Sequence, residues 1–555
     1  MKSSLFGCIA AQLLLAVGPV SALRFDLSEK LTVPPLRADE ANAHIVSEDS
    51  ITLSSRADKK SPIIAATFDQ LIDHANPDLG TFKQRYWYNA EYYGGPGAPI
   101  VLQAPTEAAA DGYTGYTTNR TLSGAFAQAI NGVAIVLEHR YWGDSSPYDK
   151  LTTTNMQYLT LDNAMLDLTY FAKNVKFPFD PEGESKPDKA PWVLTGCSYA
   201  GALAAWVHAL KPGTFWTYHC SSAVVEVIDD LWQYYKVVEE AMPRNCSADV
   251  QRVMRHVDGV LTSGTDVKKE KLKKLFGLEI LSDYDFATGI QAPMGAWQGI
   301  GFDTGYNSFH RFCDYVENRW PESTSPQPDE DGVGLCKAVK GYAKWFKEIA
   351  FPGSCASYPY WNKTDEIACY ISDDDSPIYT DMTVHNPVNR QWEWMLCNEP
   401  FKWWQTALPD DQPHVISNFS TPDKVERQCG LFFPPEGDHI VGIDRGKTTK
   451  MLNDRTGGWN NVNTTRLMWA NGGLDPWKPA TVSSNFRPRG PLKSTPEAPV
   501  RVLPGAAHCG DLLLRNAQAN EGVMEIYQAE VQNIKEWVGD FYKENDKKWP
   551  GMSDN

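Results

Sequence analysis

Short apolar runs alternate with helical patterns in the first part of the 555-residue chain and again near its C-terminus. Residues 161–175 place Leu, Ala, Met and Phe on one face of a helix, and residues 523–542 predict another helix. Five apolar runs have the length and composition of buried strands: 98–102, 132–137, 191–195, 466–470 and 499–503. Short apolar strands that alternate with helices predict a parallel sheet covered on both faces, and therefore an α/β fold class.

Residues 213–450 follow a different pattern. They are rich in Trp, Tyr and charged residues, hold most of the cysteines, and contain helical runs at 231–242 and 250–261. We predict a large, mainly helical insertion that caps the sheet domain. The sheet domain then has two parts, followed by a C-terminal tail: 63–212, 451–545 and 546–555.

The N-terminal segment has the features of a secretory signal peptide. Lys2 supplies a positive start, residues 5–20 form a short apolar run, and Val20-Ser21-Ala22 gives a small-x-small cleavage pattern, so residues 1–22 are predicted to be removed. A membrane anchor is the alternative, although no later stretch is long and apolar enough to span a bilayer. Residues 23–62 are predicted to be an N-terminal arm, or a leader processed at the dibasic Lys59-Lys60 pair.

Cysteine and asparagine patterns agree with export. Ten cysteines remain beyond the signal segment, and an even number in a secreted chain predicts disulfides, without fixing their pairing. No two are spaced as a C-x₂-C pair, so we expect neither a metal site nor a cofactor. Five N-x-S/T sequons predict glycosylation: Asn119, Asn245, Asn362, Asn418 and Asn463. The expected location is extracellular, with a vacuole or lysosome as the alternative.

The charge of the chain bears on its partners. Its formal net charge is −17, and its pI is about 5.2. A nucleic-acid partner is not expected, because phosphate binding requires a basic face. We also expect no membrane partner; the charge leaves the oligomeric state open.

The first chemical signal is the segment Gly196-Cys197-Ser198-Tyr199-Ala200-Gly201, between an apolar strand and a helical run. A nucleophile elbow needs this arrangement, because a sharp strand-to-helix turn lifts the serine Oγ above the sheet and leaves room only for small neighbours. The N–H of Tyr199 would then point at a developing oxyanion. Ala200 stands where the usual motif has its second glycine, and it is small enough to keep the turn.

Two later loops supply an acid and a histidine in the order that this kind of elbow requires. Asp475 follows the strand at 466–470, and His508 lies in a loop of small residues after the strand at 499–503. The alternatives are a turn former before Pro476 and a residue at a helix N-terminus. Jointly the pattern predicts an α/β-hydrolase fold with Ser198, Asp475 and His508 as a catalytic triad.

Several motifs recur together in one family. They are FDQLIDH (68–74) with QRYW (84–87), EHRYWGDSSP (138–147), GCSY (196–199), SSA (221–223), NGGLDPW (471–477) and GAAH (505–508). Over about residues 63–545 the chain resembles the serine peptidases that include prolyl carboxypeptidase, dipeptidyl peptidase II and fungal acid prolyl endopeptidases. The resemblance implies cleavage on the carbonyl side of proline, often at acidic pH, by a hydrolase domain with a helical cap.

The resemblance also implies a set of substrate-binding residues. Trp477 would form a flat wall for a pyrrolidine ring, although plain core packing is the alternative. Ala202 stands where several relatives carry Met. Glu399 and Glu107 occupy altered versions of family motifs, Cys-Asn-Glu in place of Cys-Thr-Glu and Pro-Thr-Glu-Ala in place of a Gly-Gly-Glu or Asn-Glu-Gly loop.

Three functions follow from these residues. The leading one is a peptidase acting on proline-containing peptides or proteins, with internal cleavage and end trimming both open. An esterase or lipase-like enzyme is the alternative within the same fold, and a catalytically silent binding protein is the third.

Two cysteines flank the predicted triad. Cys197 precedes Ser198 and Cys509 follows His508, and a triad brings those neighbours into one small region. A disulfide requires Cα atoms about 4.4–6.8 Å apart, which this proximity permits. The alternative is two separate buried thiols.

Overall fold

The computed structural model describes residues 34–37, 63–321, 323–361 and 367–552. The predicted signal peptide, the Lys59-Lys60 pair and the sequon at Asn362 lie outside these residues.

In the described part of the chain, one sheet of eight strands forms the centre of the fold. Its strands in chain order are β1 (Ile63–Leu71), β2 (Thr81–Asn89), β3 (Ile100–Gln103), β4 (Val133–Leu137), β5 (Trp192–Cys197), β6 (Thr217–Ser221), β9 (Leu467–Gly472) and β10 (Val500–Leu503). Their order across the sheet is β1-β2-β4-β3-β5-β6-β9-β10. Strand β2 pairs antiparallel with β1 and β4, and the remaining pairs are parallel.

The central strands are buried on both faces, as a covered parallel sheet requires. The five apolar runs of the sequence correspond to β3, β4, β5, β9 and β10. The range 213–450 predicted for the cap is wrong at its start, because it includes β6, which belongs to the central sheet. Its sequence, Thr-Tyr-His-Cys-Ser, lacks an apolar run, and its polar side chains are satisfied by partners inside the fold.

Helices cover the two faces of the sheet. They are α1 (Leu122–Ala129), α2 (Leu161–Asn174), α3 (Tyr199–Leu210), α14 (Leu514–Gln518) and α15 (Glu521–Glu544). The side chain of Thr160 accepts from Asn163 N at the start of α2, and Asn520 caps α15 in the same way at Val523 N. Helices α1 and α15 share one apolar core, whereas α2 and α3 share a second core that continues into the segment between β6 and β9.

The segment between β6 and β9 is mainly helical. Its helices are α4 (Gln233–Ala241), α5 (Arg244–Ser263), α6 (Asp266–Phe276), α7 (Asp283–Ile290), α8 (Ala292–Gly295), α9 (Ser308–Val316), α10 (Leu335–Trp345), α11 (Arg390–Asn398), α12 (Pro422–Phe432) and α13 (Thr449–Thr456). Two short parallel strands, β7 (Ile228–Asp230) and β8 (Lys402–Trp404), join its beginning to its later part. Among the residues that the structure describes, no helix is both long enough and apolar enough to cross a membrane.

Candidate active site

Ser198 lies at the sharp turn between β5 and α3, with φ 59° and ψ −130°. A residue with a side chain in this region stores strain of about 1–3 kcal/mol, which the surrounding structure must hold in place. Two backbone hydrogen bonds do so, from Ser198 N to Ser221 O at 3.0 Å and from Ala202 N to Ser198 O at 2.9 Å. The predicted nucleophile elbow is therefore present as a local conformation.

The small residues around Ser198 are required by close backbone contacts. A Cβ atom at Gly196 would collide with the backbone of Ala200, and one at Gly201 would lie 2.7 Å from Ser221 O on β6. The second essential glycine is thus residue 201, which explains why alanine is tolerated at 200.

His508 and Asp475 meet above the ends of β9 and β10. The Nδ1 atom of His508 lies 3.0 Å from both carboxylate oxygens of Asp475, and both side chains are buried. The Asp475 Oδ1 atom also accepts from Trp477 N at 2.8 Å, which fixes the carboxylate from its own turn. The arrangement leaves His508 Nε2 outside this contact.

Ser198 Oγ and His508 Nε2 are both buried, and neither has a hydrogen-bond partner among the described residues. No hydrogen bond therefore joins these two atoms in the structure. In ligand-free sites such contacts are often long and shorten only when substrate binds.

A disulfide joins Cys197 to Cys509, with Cα atoms 6.0 Å apart. The backbone N–H of Cys509 also donates to Ser222 Oγ at 3.0 Å. The predicted bridge is confirmed, and it ties the elbow to the loop that carries His508. The other bridges in the described residues lie between β6 and β9: Cys246–Cys313, Cys355–Cys369 and Cys397–Cys429. Cys220 and Cys336 are free.

Trp477 is fully buried beside the histidine, with ring centroids 6.1 Å apart. Its Nε1–H donates to Gln298 Oε1 at 2.8 Å, and its ring meets that of Tyr234 edge-on at 5.2 Å. Tyr234 OH donates to the same Gln298 oxygen at 3.1 Å. The segment between β6 and β9 therefore fixes the orientation of this indole. Sequence reasoning missed Gln298 and Tyr234, because neither lies in a recognisable motif.

The Tyr199 side chain points away from the elbow towards the cap, where its ring lies 5.3 Å from that of Trp392. Its hydroxyl is 3.0 Å from His139 Nε2, while His139 Nδ1 is 2.9 Å from Arg140 O. A single tautomer satisfies both contacts, with Nδ1–H donating to the carbonyl and Nε2 accepting from the phenol. Burial lowers the pKa of His139 to about 4, so this imidazole is neutral.

Burial raises the pKa of the Tyr199 hydroxyl, and the nearby charges of Glu107 and Glu399 add to that rise. Glu399 accepts from Asn398 Nδ2 at 2.9 Å and from Lys447 Nζ at 3.0 Å. Glu107 is buried and has no partner for either carboxyl oxygen among the described residues. Burial raises its pKa to about 8, so the Glu107 carboxyl is neutral in acid.

The remaining predicted positions are placed as follows. Ala202 is fully buried in the first turn of α3. The sequons at Asn418 and Asn463 are exposed, and those at Asn119 and Asn245 are partly exposed.

Two clusters of described residues consist of side chains of the types that bind metals. One is Cys197, His508 and Cys509, whose sulfurs are joined in the disulfide, and the other is His219, Asp511 and Glu530.

Comparison with known proteins gives a family match. The serine carboxypeptidase S28 family matches residues 70–528. The serine protease vicPb of Bipolaris victoriae is 38% identical over 484 residues, which cover 86% of this chain and 90% of that protein.

More distant relatives and solved structures also match. A probable extracellular serine carboxypeptidase of Arthroderma benhamiae is 27% identical over 96% of this chain and 74% of its own length. The lysosomal Pro-X carboxypeptidase of Pongo abelii is 22% identical over 86% of this chain and 88% of its own. A proline iminopeptidase structure from Mycobacterium smegmatis covers 86% of this chain and 99% of its own, with a TM-score of 0.34 and 10% identity.

The family match spans most of the chain and includes the elbow serine, Asp475 and His508. The mostly parallel sheet, with its elbow directly after β5, is that of an α/β-hydrolase. The chain is therefore a serine-type peptidase that belongs to the serine carboxypeptidase S28 family.

Proposed function

We propose that this protein hydrolyses peptide bonds on the carbonyl side of proline, with Ser198 as nucleophile, His508 as general acid–base and Asp475 as the group that orients the histidine. The observation that carries the proposal is the two-oxygen contact between Asp475 and His508 Nδ1. That contact fixes the tautomer in which Nε2 can accept the serine proton. Trp477 beside the same histidine supplies the proline preference.

The reaction follows from these positions. His508 Nε2 takes the Ser198 proton as Oγ attacks the scissile carbonyl, and the Tyr199 backbone N–H donates to the resulting oxyanion. When the tetrahedral intermediate collapses, Nε2–H gives its proton to the leaving amine, and an acyl-enzyme on Ser198 remains. Water, deprotonated by the same nitrogen, then attacks the acyl-enzyme, and Nε2–H returns the proton to Ser198 Oγ as the acid product leaves. Asp475 stabilises the imidazolium in both halves of the reaction.

The preference for proline rests on a rigid wall. Trp477 is held from two sides, by its hydrogen bond to Gln298 and by the edge-on Tyr234 ring. Proline is itself rigid, so binding it to a preformed aromatic surface costs little ordering entropy. The printed name of the Pongo abelii relative, a Pro-X carboxypeptidase, agrees with this substrate class.

Glu107 and Glu399 are proposed to contact substrate residues that flank the proline. The unpartnered carboxyl of Glu107 is the stronger candidate, since its neutral form at acidic pH can both donate and accept a hydrogen bond. Secretion with glycosylation at the sequons, and action at acidic pH, are part of the same proposal. The likeness to a relative named as extracellular supports secretion.

The test is a digestion of matched peptides that carry Pro, Ala, Leu or Phe before a single scissile bond. Products are mapped by mass spectrometry, with free and blocked termini compared to separate internal cleavage from end trimming. We expect turnover in the order Pro, then Ala, with Leu and Phe far slower. Equal rates for all four would overturn the proline preference. An ester offered in parallel distinguishes an esterase, and failure of a fluorophosphonate probe to label Ser198 would indicate a silent binding protein.

A further inference from the structure

A second cluster of ionisable side chains lies on the face of the sheet that α1 and α15 cover, between β6 and α15. Glu530 on α15, Asp511 in the loop after β10 and His219 on β6 are each buried. One side-chain ligand atom from each of the three lies within 4.8 Å of the other two. This Glu530 cluster takes no part in the reaction described above.

Asp511 is the anion of the cluster. Its Oδ1 atom accepts from Ser221 Oγ, and its Oδ2 atom lies 3.0 Å from His219 Nε2. His219 Nδ1 is in turn 2.9 Å from Thr195 Oγ1 on β5, so one tautomer and one hydroxyl direction satisfy every polar atom of this chain of contacts.

Glu530 takes no part in these hydrogen bonds. It is fully buried, and neither of its carboxyl oxygens has a hydrogen-bond partner among the described residues. An ionised carboxylate in such a position, beside Asp511, is disfavoured far more strongly than a protonated carboxyl.

The cluster is attached to the loop that carries His508. Ser221, the last residue of β6, and Ser222, the next residue, each contact this loop: Ser221 Oγ donates to Asp511, and Ser222 Oγ accepts from Cys509 N. The cluster is therefore in contact with the loop residues that follow the histidine.

We propose that Glu530 keeps its proton in the folded protein, and that the Glu530–Asp511 pair, which then holds a single negative charge, is a positioning pair for the His508 loop. A second negative charge on Glu530 would repel Asp511 and weaken its contacts with Ser221 and His219. The role of the loop in the reaction rests on the function proposed above. The protonation of Glu530 in the folded protein does not depend on that function.

The surroundings of Glu530 agree with the proposal. The groups that face it are Asp511 from the loop, His219 from β6, Arg501 from β10 and Tyr527 from its own helix, and α1 contributes no ionisable side chain. Burial, and after it the charge of Asp511, raise the pKa of Glu530 well above its usual range, against a smaller opposite effect of Arg501. The positive charge of Arg501 does not act on Glu530 alone, because its guanidinium also contacts Asn533 and Met468.

The protonation of Glu530 makes the stability of the folded protein depend on pH. Below the ordinary carboxyl range, Glu530 is protonated in both the folded and the unfolded protein. As pH rises through that range, only the unfolded chain releases this proton, so stability declines until the raised folded-state pKa is reached. Each pH unit in this interval lowers the folding equilibrium constant by up to about tenfold.

The experiment compares Glu530→Gln with the wild type and with Glu525→Gln, an exposed position on the same helix. Glutamine keeps the size and the polarity of the side chain, but it cannot ionise. Thermal unfolding midpoints and the rate of fluorophosphonate labelling are measured from about pH 4 to about pH 8, a range that begins at the ordinary carboxyl pKa and extends well above it. Metal content is measured on the same samples.

We expect the midpoint of the wild type and of Glu525→Gln to fall as pH rises, and that of Glu530→Gln to fall less steeply. Labelling by Glu530→Gln should persist to a higher pH than labelling by the wild type, because glutamine never adds the second negative charge that would repel Asp511. Parallel profiles for all three proteins would overturn the proposal. So would a stoichiometric divalent cation that Glu530→Gln loses, since the cluster would then hold a metal.

Two further arms keep the result decisive. If Glu530→Gln is not secreted, Glu530→Met supplies a neutral side chain of similar length, and the same flattening is expected. Should the probe fail to label any variant, the proposed function fails, while the unfolding profiles still decide whether Glu530 holds its proton.

Discussion

The bond between Cys197 and Cys509 joins the residue before Ser198 to the residue after His508, although the two cysteines are 312 residues apart in the sequence. The candidate nucleophile and the candidate base are thus held together by a covalent link as well as by the sheet. The contact with Asp475 orients the His508 imidazole. The disulfide limits how far the His508 loop can move from the elbow.

Replacing both cysteines tests this link. The Cys197→Ala/Cys509→Ala variant should lose about 2–5 kcal/mol of stability, because the bridge closes a very long loop, and it should label slowly with a fluorophosphonate. The control is Cys355→Ala/Cys369→Ala, which opens a loop of only 14 residues. If the control slowed labelling equally, the bridge beside the elbow would have no special role.

Substitutions at the candidate triad should separate the three roles. Ser198→Ala and His508→Ala should each abolish peptide turnover with the fold retained. Asp475→Asn should reduce kcat by a factor of about 10⁴, because the amide favours the wrong imidazole tautomer. Circular dichroism and steady-state kinetics on purified proteins check this, with Asp454→Asn, an exposed site, as the matched control. Turnover near the wild-type level would exclude the residue concerned from the mechanism.

Trp477→Ala should remove much of the preference for proline. The value of kcat/KM for a peptide with Pro before the scissile bond should fall about 10–200-fold, as expected when one apolar contact of a pocket is lost, and the value for Ala should fall less. Gln298→Met is expected to give a milder loss, seen mainly in KM, because the indole remains but its Nε1–H loses an acceptor. An equal fall for the Pro and Ala peptides would argue that Trp477 only packs the core.

Glu107→Gln should change the pH dependence of stability. Burial raises the pKa of Glu107 to about 8, so its stabilising effect is present in acid and is lost as pH rises from the ordinary carboxyl range towards that value. The variant should therefore be the more stable protein at neutral pH, by about 1.4 kcal/mol for each pH unit of that interval. Chemical unfolding at a series of pH values measures this. A wild type and variant with the same pH slope would contradict it.

Much of the site could be predicted because its signals are local. The elbow needs small residues at fixed spacing, and Asp475 and His508 each follow an apolar strand. The Cys197–Cys509 bridge could be anticipated for a different reason, since a triad forces its neighbours together. The other cysteines carry no comparable constraint, so their pairing could not be derived.

The residues that sequence reasoning missed depend on tertiary contacts. Gln298 and Tyr234 acquire a role only because the cap folds back onto Trp477. The range predicted for the cap includes β6, whose residues Thr217–Ser221 form no apolar run, yet this strand lies between two parallel strands and its side chains bond within the protein. Apolar periodicity cannot identify a strand whose buried groups are satisfied by hydrogen bonds.

The position of β6 has a consequence for biosynthesis. Its neighbour β9 is made only after the whole segment between residues 221 and 467 has left the ribosome, a wait of many seconds at about 5–20 residues per second. Throughout that wait, β6 is the outer strand of a partial sheet, with one row of backbone groups exposed to other nascent chains. A polar sequence at this position makes such a strand a poor template for aggregation. The polar composition that makes β6 difficult to recognise as a buried strand thus suits a strand whose neighbour β9 is synthesised much later.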